Sequence, residues 1–582
     1  MKDAKTSIDA ICGEYLLEEP NPHLRMQIQR LLSLGEASVD ELADRMSHHL
    51  RFGTAGLRGR MEAGYNRINL VSVYRFCYAV GHEVITKADA HHRRIVIGFD
   101  ARDNSQLFAE DAARILIALG ADVHLFALCV PTPICAYAVK YLNALAGIMI
   151  TASHNPKCDN GIKLYNSDSA QAHGELLSLL EQKMAHAPLR CDFFSKHREL
   201  LERSHATIIQ DEVMASYLAD IKQTRMFASD DVDRNVPIVY TPLHGVGKKF
   251  FLAAANEEGF SRVMVVDAQS EPNGQFPSVL FPNPEEEHTL DLAHDCARLH
   301  HIDWVFANDP DADRVQVSCT DNGNDFRKLS GNEMGAILGY FAIELANRQR
   351  LKPMTATSIV SSRMLRAISN GLGAHYVEGL TGFANIVATA MKEEKTSDTQ
   401  LVFAYEEAIG FLVGQVVLDK DGINAAMRLM EIAGYLSKKR MTIWQLLDEL
   451  YQRFGIFVNE QWSVRFAGVT AMDAMAHSMD RVRQWSAHEL SNLFGPSPCM
   501  KFDLLERQTN GPYKDLCADV IILEINPMVR FIVRPSGTEP KIKCYLELFE
   551  KAASPPYFTK QQIMLKQSLK DLRNKIELLL KC

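Results

Sequence analysis

Apolar and polar positions along the chain alternate between two periods. From Arg94, "RIVIGFD" is an apolar run of strand length, and "NSQLFAEDAARILIALG" spaces its apolar residues helically behind a cap-type Asn104. "DVHLFAL" then reads as a strand, "PICAYAVKYLN" as a helix and "AGIMI" as a third strand. The alternation returns in "VPIVYTPLHGVG", a helix near Lys248 to Glu258, "RVMVVDA", a helix from about Glu287 and "DWVFANDPDADR". A third block carries "TSIVSS", the helix "RMLRAISNGLG", "AHYVEG", "LVFAYEEAIG" and a helix after Gly422. Such alternation predicts largely parallel sheets wrapped by helices.

Both ends of the chain read differently. The first fifty residues carry helical patterns such as "PHLRMQIQRLLSLG" and close at the glycine-punctuated "HHLRFGTAGLRGRM". Near the other end, the helix-rich "DAMAHSMDRVRQWS" precedes the β-type runs "DVIILEI", "VRFIVRPSG" and "KIKCYLELF". In a closing helix, Leu565, Leu569, Leu572, Ile576 and Leu579 fall on one stripe, which marks packing. The predicted fold class is α/β: three similar α/β domains with mixed, largely parallel sheets, plus a smaller C-terminal α+β domain, around a central cleft. Boundaries are expected at 1–205, 206–322, 323–450 and 451–582, and 582 residues suit about three to five domains.

Composition narrows the function classes. Lys plus Arg number 63 against 72 Asp plus Glu, so no global field favours nucleic acid or an acidic membrane, and an anion must be held locally. Twelve cysteines without a CxxC pair fit reduced thiols better than a disulfide framework or zinc site. The opening "MKDAKTSIDAICGEYLLEEP" is too charged for a signal peptide, and no apolar run has transmembrane length. The expectation is a soluble, cytoplasmic protein without nucleic-acid or membrane partners, a monomer or weak homodimer.

The candidate chemistry lies in loops after strands, where open α/β sheets bind ligands. In "NDPDADR", Asp309, Asp311 and Asp313 are three carboxylates at alternate positions whose repulsion a hard divalent cation would relieve, Mg²⁺ being the natural choice. An EF-hand would need Gly at the sixth position and Glu at the twelfth, where Arg314 and Thr320 stand. A solvated acidic turn is the plain alternative, but it rarely follows a run as apolar as "WVFA". "RPSGTEPK", from Arg534 to Lys541, combines a guanidinium, two hydroxyls, a glycine and a lysine between two strands and suits a phosphate, with an ordinary hairpin turn as alternative. Arg58, among the glycines of "FGTAGLRGR", can serve a phosphate or a plain loop.

"TASHNP" follows "LAGIMI" and presents Ser153 beside His154. The flanking residues do not form the G-x-S-x-G elbow of a hydrolytic serine, and adjacent side chains usually point apart. A serine that carries a phosphoryl group suits a neighbouring cation better, while Ser153 and Asn155 capping a turn before Pro156 is the structural alternative. Lys163 in "NGIKLY" and His244 in "TPLHGVG" are proton-transfer or phosphate-facing candidates. In "YEEAIG", Glu406 and Glu407 can grip sugar hydroxyls or begin a solvated helix.

"TASHNP" with "NGIK", then "NDPDADR", "YEEAIG" and "RPSGTEPK", in this order and at these intervals, resembles the α-D-phosphohexomutase superfamily of phosphoglucomutases and phosphomannomutases. The likeness runs from about Arg51 to Leu548. "LRFGTAGLRG", "FPNPEEE", Pro310 and Ala408 resemble most the phosphoglucomutase-2 branch, which includes phosphopentomutase and glucose-1,6-bisphosphate synthase. The resemblance implies a phosphosugar mutase moving phosphoryl between C1 and C6 of a hexose or C1 and C5 of a pentose, with sugar phosphates as partners. It implies phosphoserine at Ser153, Mg²⁺ on Asp309, Asp311, Asp313 and Ser153, and a sugar 1,6-bisphosphate or pentose 1,5-bisphosphate as activator and intermediate. Arg314 and Arg58 would assist the transferred phosphoryl, and Lys163, ahead of His244, would move the proton. Glu406 would bind sugar hydroxyls, with His154, Thr381, Gly382 and Ala408 also on the substrate. Arg534, Ser536, Gly537 and Thr538 would hold the distal phosphate. One departure stands out: after "TGF", where many relatives carry a lysine, this chain has Ala384 and then Asn385. A bisphosphate synthase and a sugar-phosphate-binding protein without turnover are the alternative readings.

Overall fold

The computed structural model describes residues 2–89, 92–321, 325–466, 471–506, 511–525, 528–536 and 540–581. The chain forms two compact units. The first comprises Met1–Gly331, Gly382–Ala388 and Ala408–Lys439; the second comprises Asn332–Thr381, Thr389–Glu407 and Arg440–Cys582.

In the first unit, a seven-stranded sheet runs in the order Phe52–Gly53, Gly56–Arg60, Asp159–Asn166, Ala146–Ile150, Arg94–Phe99, Asp122–Leu125, Thr207–Ile208. Its last four strands are parallel, as the strand–helix alternation predicts. Asp159–Asn166 turns back antiparallel on Ala146–Ile150, which makes the sheet mixed. All five residues of Ala146–Ile150 are buried, because helices cover both faces of this central strand. Ile97, Ile115, Leu116, Ile148 and Ile162 belong to one core. The N-terminal helices Lys2–Glu18, Pro22–Ser33 and Val39–Met46 have a small core of their own, with Cys12, Tyr15 and Ile28 against Tyr65 and Val71.

A five-stranded sheet follows in the order Asp325–Lys328, Val315–Asp321, Trp304–Asn308, Ile238–Thr241, Val263–Val265. Trp304–Asn308 pairs parallel with Ile238–Thr241 and antiparallel with Val315–Asp321, so residues 309–314 form the tip of a hairpin in mid-sheet.

The second unit carries Pro353–Ser358 parallel to both His375–Gly379 and Gln400–Glu406. It also carries an antiparallel five-stranded sheet in the order Ile456–Arg465, Lys541–Glu550, Val529–Pro535, Ile521–Ile525, Cys499–Asp503. Helices Ala471–Gln484 and Pro555–Lys581 bury Met475, Met479, Leu565, Leu569 and Ile576 in the core of that sheet. The fold is thus α/β, with mixed sheets containing parallel strands and a C-terminal antiparallel domain. Among the described residues no helix is long and apolar enough to cross a membrane.

Four local expectations are corrected. Asn104 makes no side-chain capping bond; it adopts φ +63°, and its amide reaches Met61. The helix expected from about Glu287 begins at Asp291, since the proline-broken stretch before it forms turns. The strand expected at "TSIVSS" is Pro353–Ser358, and Ile359 onward is already a turn. In the last helix Leu579 is 42% exposed and Leu580 is 1% exposed, so the buried stripe has moved by one residue near its end.

Candidate active site

The serine loop is the tip of the hairpin formed by Ala146–Ile150 and Asp159–Asn166. Its register sets Met149 opposite Lys163, and the Thr151 N–H donates to Gly161 O (2.9 Å), so Ser153 and Lys163 rise from neighbouring strands. Ser153 adopts φ +52°, a left-handed conformation that costs a non-glycine residue about 1 kcal/mol and recurs at functional sites. The Ser153 N–H donates to Thr151 Oγ1 (2.8 Å). Its hydroxyl donates to Asp309 Oδ2 (2.8 Å) and also lies 3.1 Å from His154 Nδ1. The two adjacent side chains therefore meet instead of pointing apart, an arrangement for which the left-handed turn at Ser153 is responsible.

The aspartates sit at the second hairpin tip. Asn308 Nδ2 donates to Arg314 O (2.6 Å), the Arg314 N–H donates to Asp309 Oδ1 (3.1 Å), and Ala312 takes φ +54°. These bonds fold residues 309–314 tightly enough that carboxylate oxygens of Asp309, Asp311 and Asp313 lie within 4.8 Å of one another, all buried. The neighbouring loop leaves no room for a larger residue at Gly245, where a Cβ would stand 2.4 Å from Pro310 Cα.

Two lysines meet this charge. Lys163 Nζ donates to Asp311 Oδ2 and to Asp313 Oδ2, each at 2.7 Å, and Lys420 Nζ lies 3.3 Å from Asp313 Oδ2. Thr132 adds a hydroxyl bond to Asp311 Oδ2 (2.6 Å). Burial and the charges of Asp311 and Asp313 push Asp309 well above the ordinary carboxylate range. Burial acts on Asp311 the same way, but the Lys163 ammonium and hydrogen bonds hold it below that range. Asp313 is lowered too: against burial and Asp311 stand Lys163, Lys420 and Arg314. Burial opposes the charged form of Lys163, and Asp311 and Asp313 outweigh it, so the amine stays an ammonium. Asp311 Oδ1 and Asp313 Oδ1 are buried without a hydrogen-bond partner. Three clustered carboxylates with two unsatisfied oxygens fit a hard, oxygen-seeking cation.

Two arginines bond to the serine loop and the segment around the aspartates. Arg58 donates to Asn155 Oδ1 (3.2 Å). Arg314 donates from Nη1 to Ala408 O (3.2 Å), and its Nε lies 3.8 Å from Asp313 Oδ1. Burial, with Arg314 and Arg58, lowers His154 well below the usual histidine range, so its ring is neutral near pH 7. His244 is placed differently. It adopts φ +59°, and its Nε2 lies 2.8 Å from Ser278 Oγ, away from the hydrogen bonds of the serine and aspartates. Gly382 takes φ +100° beside Thr54, and Ala384, next in line after Phe383, is buried.

In the second unit, Arg534 and Lys543 are directly opposed across two antiparallel strands. Burial, then Arg534 and Lys541, lowers the Lys543 amine, against the opposing charges of Glu407 and Glu406. The Ser536 N–H donates to Lys541 O (2.8 Å). Gly537 and Thr538 lie outside the described residues. Glu407 accepts from Ser358 Oγ (2.8 Å) and Ser361 Oγ (3.0 Å), which commits it to the protein; Glu406 ends its strand half-buried, and Thr381 is half-buried.

Residues 49–189, 215–323 and 330–454 match, in turn, α/β/α domains I, II and III of phosphoglucomutase/phosphomannomutase. Mouse phosphopentomutase is 32% identical over 98% of this chain and 94% of its own length. The chain belongs to the phosphoglucomutase/phosphomannomutase family. Within this α-D-phosphohexomutase superfamily it is an isomerase of the intramolecular phosphotransferase kind. Mouse glucose 1,6-bisphosphate synthase is 31% identical over 94% of this chain and 90% of its own. The crystal structure of Paramecium parafusin, a phosphoglucomutase in its open form, shares the fold with a TM-score of 0.65 at 18% identity, covering 90% of this chain and 95% of that one.

The family motifs quoted from the sequence contain Ser153, Lys163 and the aspartates but not Thr132, Arg102, Lys420 or Lys543. Thr132 looks like an ordinary helix start, and Arg102 falls between a strand and a helix. Lys420 had a visible cue, the "DKDG" charge cluster at a helix start, and Lys543 another, its alternate spacing from Lys541 on one strand.

Proposed function

We propose that this chain isomerises sugar monophosphates by moving a phosphoryl group between the C1 and C6 hydroxyls of a hexose, or C1 and C5 of a pentose, through phosphorylated Ser153 and a sugar bisphosphate. The observation that carries this reading is the Ser153 hydroxyl bonded to Asp309 Oδ2 at 2.8 Å, at the edge of a carboxylate trio. A phosphoryl carrier needs cations and fixed geometry.

Asp309, Asp311 and Asp313 would hold Mg²⁺, with Ser153 completing the set, and the ion when bound supplies charge neutralisation for the phosphoryl oxygens. Arg58 and Arg314 flank the serine and stabilise the transferring group. Lys163, an ammonium bonded to two carboxylates, delivers a proton to the leaving hydroxyl oxygen once those bonds rearrange, and the neutral amine so formed takes one from the attacking hydroxyl in the return step; His244, on Ser278, is the second candidate. His154 orients the phosphoserine, Glu406 binds sugar hydroxyls, and Thr381, Gly382 and Ala408 line the sugar. Arg534, Ser536, Gly537 and Thr538 hold the distal phosphate, with Lys543 opposite Arg534 on the neighbouring strand. The domain extents 1–205, 206–322, 323–450 and 451–582 go with this assignment of roles.

The test uses glucose 1-phosphate, mannose 1-phosphate, ribose 1-phosphate and deoxyribose 1-phosphate side by side, with Mg²⁺ and a trace of glucose 1,6-bisphosphate. Ser153→Ala should abolish both phosphoprotein formation and turnover of every sugar the wild type accepts; retained mutase activity sinks the reading. The similarity to glucose 1,6-bisphosphate synthase favours a second reading, in which an acyl-phosphate donor supplies the phosphoryl group. Accumulation of bisphosphate faster than monophosphate isomerisation would select it.

A further inference from the structure

We infer that Arg102 is a positioning residue that clamps the Ser153 loop from below in the geometry phosphoryl transfer requires; the inference rests on Ser153 as phosphoryl carrier. Arg102 Nη2 donates to Ser153 O (2.5 Å) and Asn155 O (2.6 Å), and Nη1 donates to Pro156 O (2.8 Å) and Asp159 O (3.1 Å). Four carbonyls of one loop thus converge on a single guanidinium. The planar five-donor fork of arginine can satisfy such a set, and charge-assisted bonds of this kind are about twice as strong as neutral ones.

The clamp is itself anchored. Arg102 Nε lies 3.3 Å from Asp100 Oδ2, with both side chains 0% exposed. Asp100 accepts from Ser105 Oγ (2.6 Å) and Thr151 Oγ1 (2.7 Å), and Thr151 Oγ1 in turn accepts the Ser153 N–H (2.8 Å). Both backbone polar groups of Ser153 therefore trace back to one buried ion pair. From the second α/β segment, Phe276 lays its ring 5.0 Å from the guanidinium, and a Cβ on Gly274 would stand 2.7 Å from Arg102 Cα.

This arrangement explains how Ser153 keeps φ +52° on a loop whose outer residues Lys157 and Cys158 are exposed. A left-handed serine persists only where its surroundings over-determine it. Arg102 makes no bond to the serine hydroxyl, so its effect is on where Oγ stands and not on its chemistry. Loss of the clamp should lower the rate of phosphoryl transfer more than substrate affinity, since a displacement of about 1 Å can cost about 10²-fold in rate.

The test compares wild type, Arg102→Met, Arg102→Lys and Ser153→Ala as full-length proteins. Ser153 phosphorylation by glucose 1,6-bisphosphate with Mg²⁺ should fall about 10²-fold at saturation in Arg102→Met, with KM little changed, and recover in part in Arg102→Lys. Hydrogen exchange, which needs no activity, should rise at least about tenfold at amides 153–155 and 157–159 while strands 94–99 and 146–150 keep their protection. Wild-type exchange across that loop, an equal loss throughout the first sheet, or KM rising in step with the fall in rate would overturn the inference. If Arg102→Met does not fold, Arg102→Lys carries the same comparisons. A wild type that takes no phosphoryl group from the bisphosphate would defeat the mutase reading alone, and the exchange result would still judge the clamp.

Discussion

Lys163 Nζ donates to Asp311 Oδ2 across 2.7 Å in an environment where Lys163 is 1% exposed. The same ammonium reaches Asp313, so one positive charge is shared between two buried carboxylates. Breaking a buried pair by removing one partner typically costs about 3–5 kcal/mol, because the other charge is left uncompensated. Lys163→Met should therefore lose stability of that order in metal-free buffer, read from chemical denaturation. Added Mg²⁺ should recover more stability in the variant than in the wild type; an equal Mg²⁺ shift in both would contradict the arrangement.

Metal affinity should depend unequally on the carboxylates and their neighbours. Asp311→Asn and Asp313→Asn each remove an unsatisfied buried oxygen's charge and should weaken Mg²⁺ binding by at least about tenfold by calorimetry. Thr132→Val loses only the hydroxyl that orients Asp311, so a smaller effect is expected. If Thr132→Val matched the two aspartate variants, orientation rather than ligand charge would dominate.

Acid should weaken the first unit through buried neutral histidine. His294 packs its ring on Phe326 and faces Ser318 Oγ at 3.0 Å. Burial, then Arg298 and Lys328, lowers it from 6.5 to about 4. A depressed folded value means the unfolded chain binds the proton first, so this stabilisation is complete above about 6.5 and is lost as pH falls through about 4. The half-buried setting reduces the effect, leaving about 1 kcal/mol between pH 7 and pH 5. His294→Phe should flatten that part of the stability–pH curve; an unchanged slope would count against it.

Lys543 stands opposite Arg534, and like charges across a strand pair are destabilising unless an anion joins them. Lys543→Met should leave the phosphate-free melting temperature unchanged or slightly higher. It should also diminish the stabilisation produced by inorganic phosphate or a sugar monophosphate. A full phosphate shift in the variant would remove Lys543 from that site.

Much of the architecture is legible in the sequence. "RIVIGFD", "AGIMI" and "WVFAN" became strands Arg94–Phe99, Ala146–Ile150 and Trp304–Asn308 because helix-covered strands are apolar on both faces. Elements flanked by competing signals begin or end away from where the pattern puts them. The helix near Glu287 starts late after two prolines, and Leu580, four residues after Ile576, takes the place of Leu579 in the same core.

The sequence by itself determined where the candidate loops lie: Ser153 and the three aspartates follow strands that are apolar and buried. Tertiary structure alone decided the partners. Ser153 meets Asp309, Lys163 bridges Asp311 and Asp313, Lys420 reaches Asp313, and Arg102 gathers four carbonyls under the serine. Periodicity encodes which face of an element is buried, and that is a local property. Which charged group answers another across 100 residues or more depends on strand order and register, and these emerge only when the sheets are assembled.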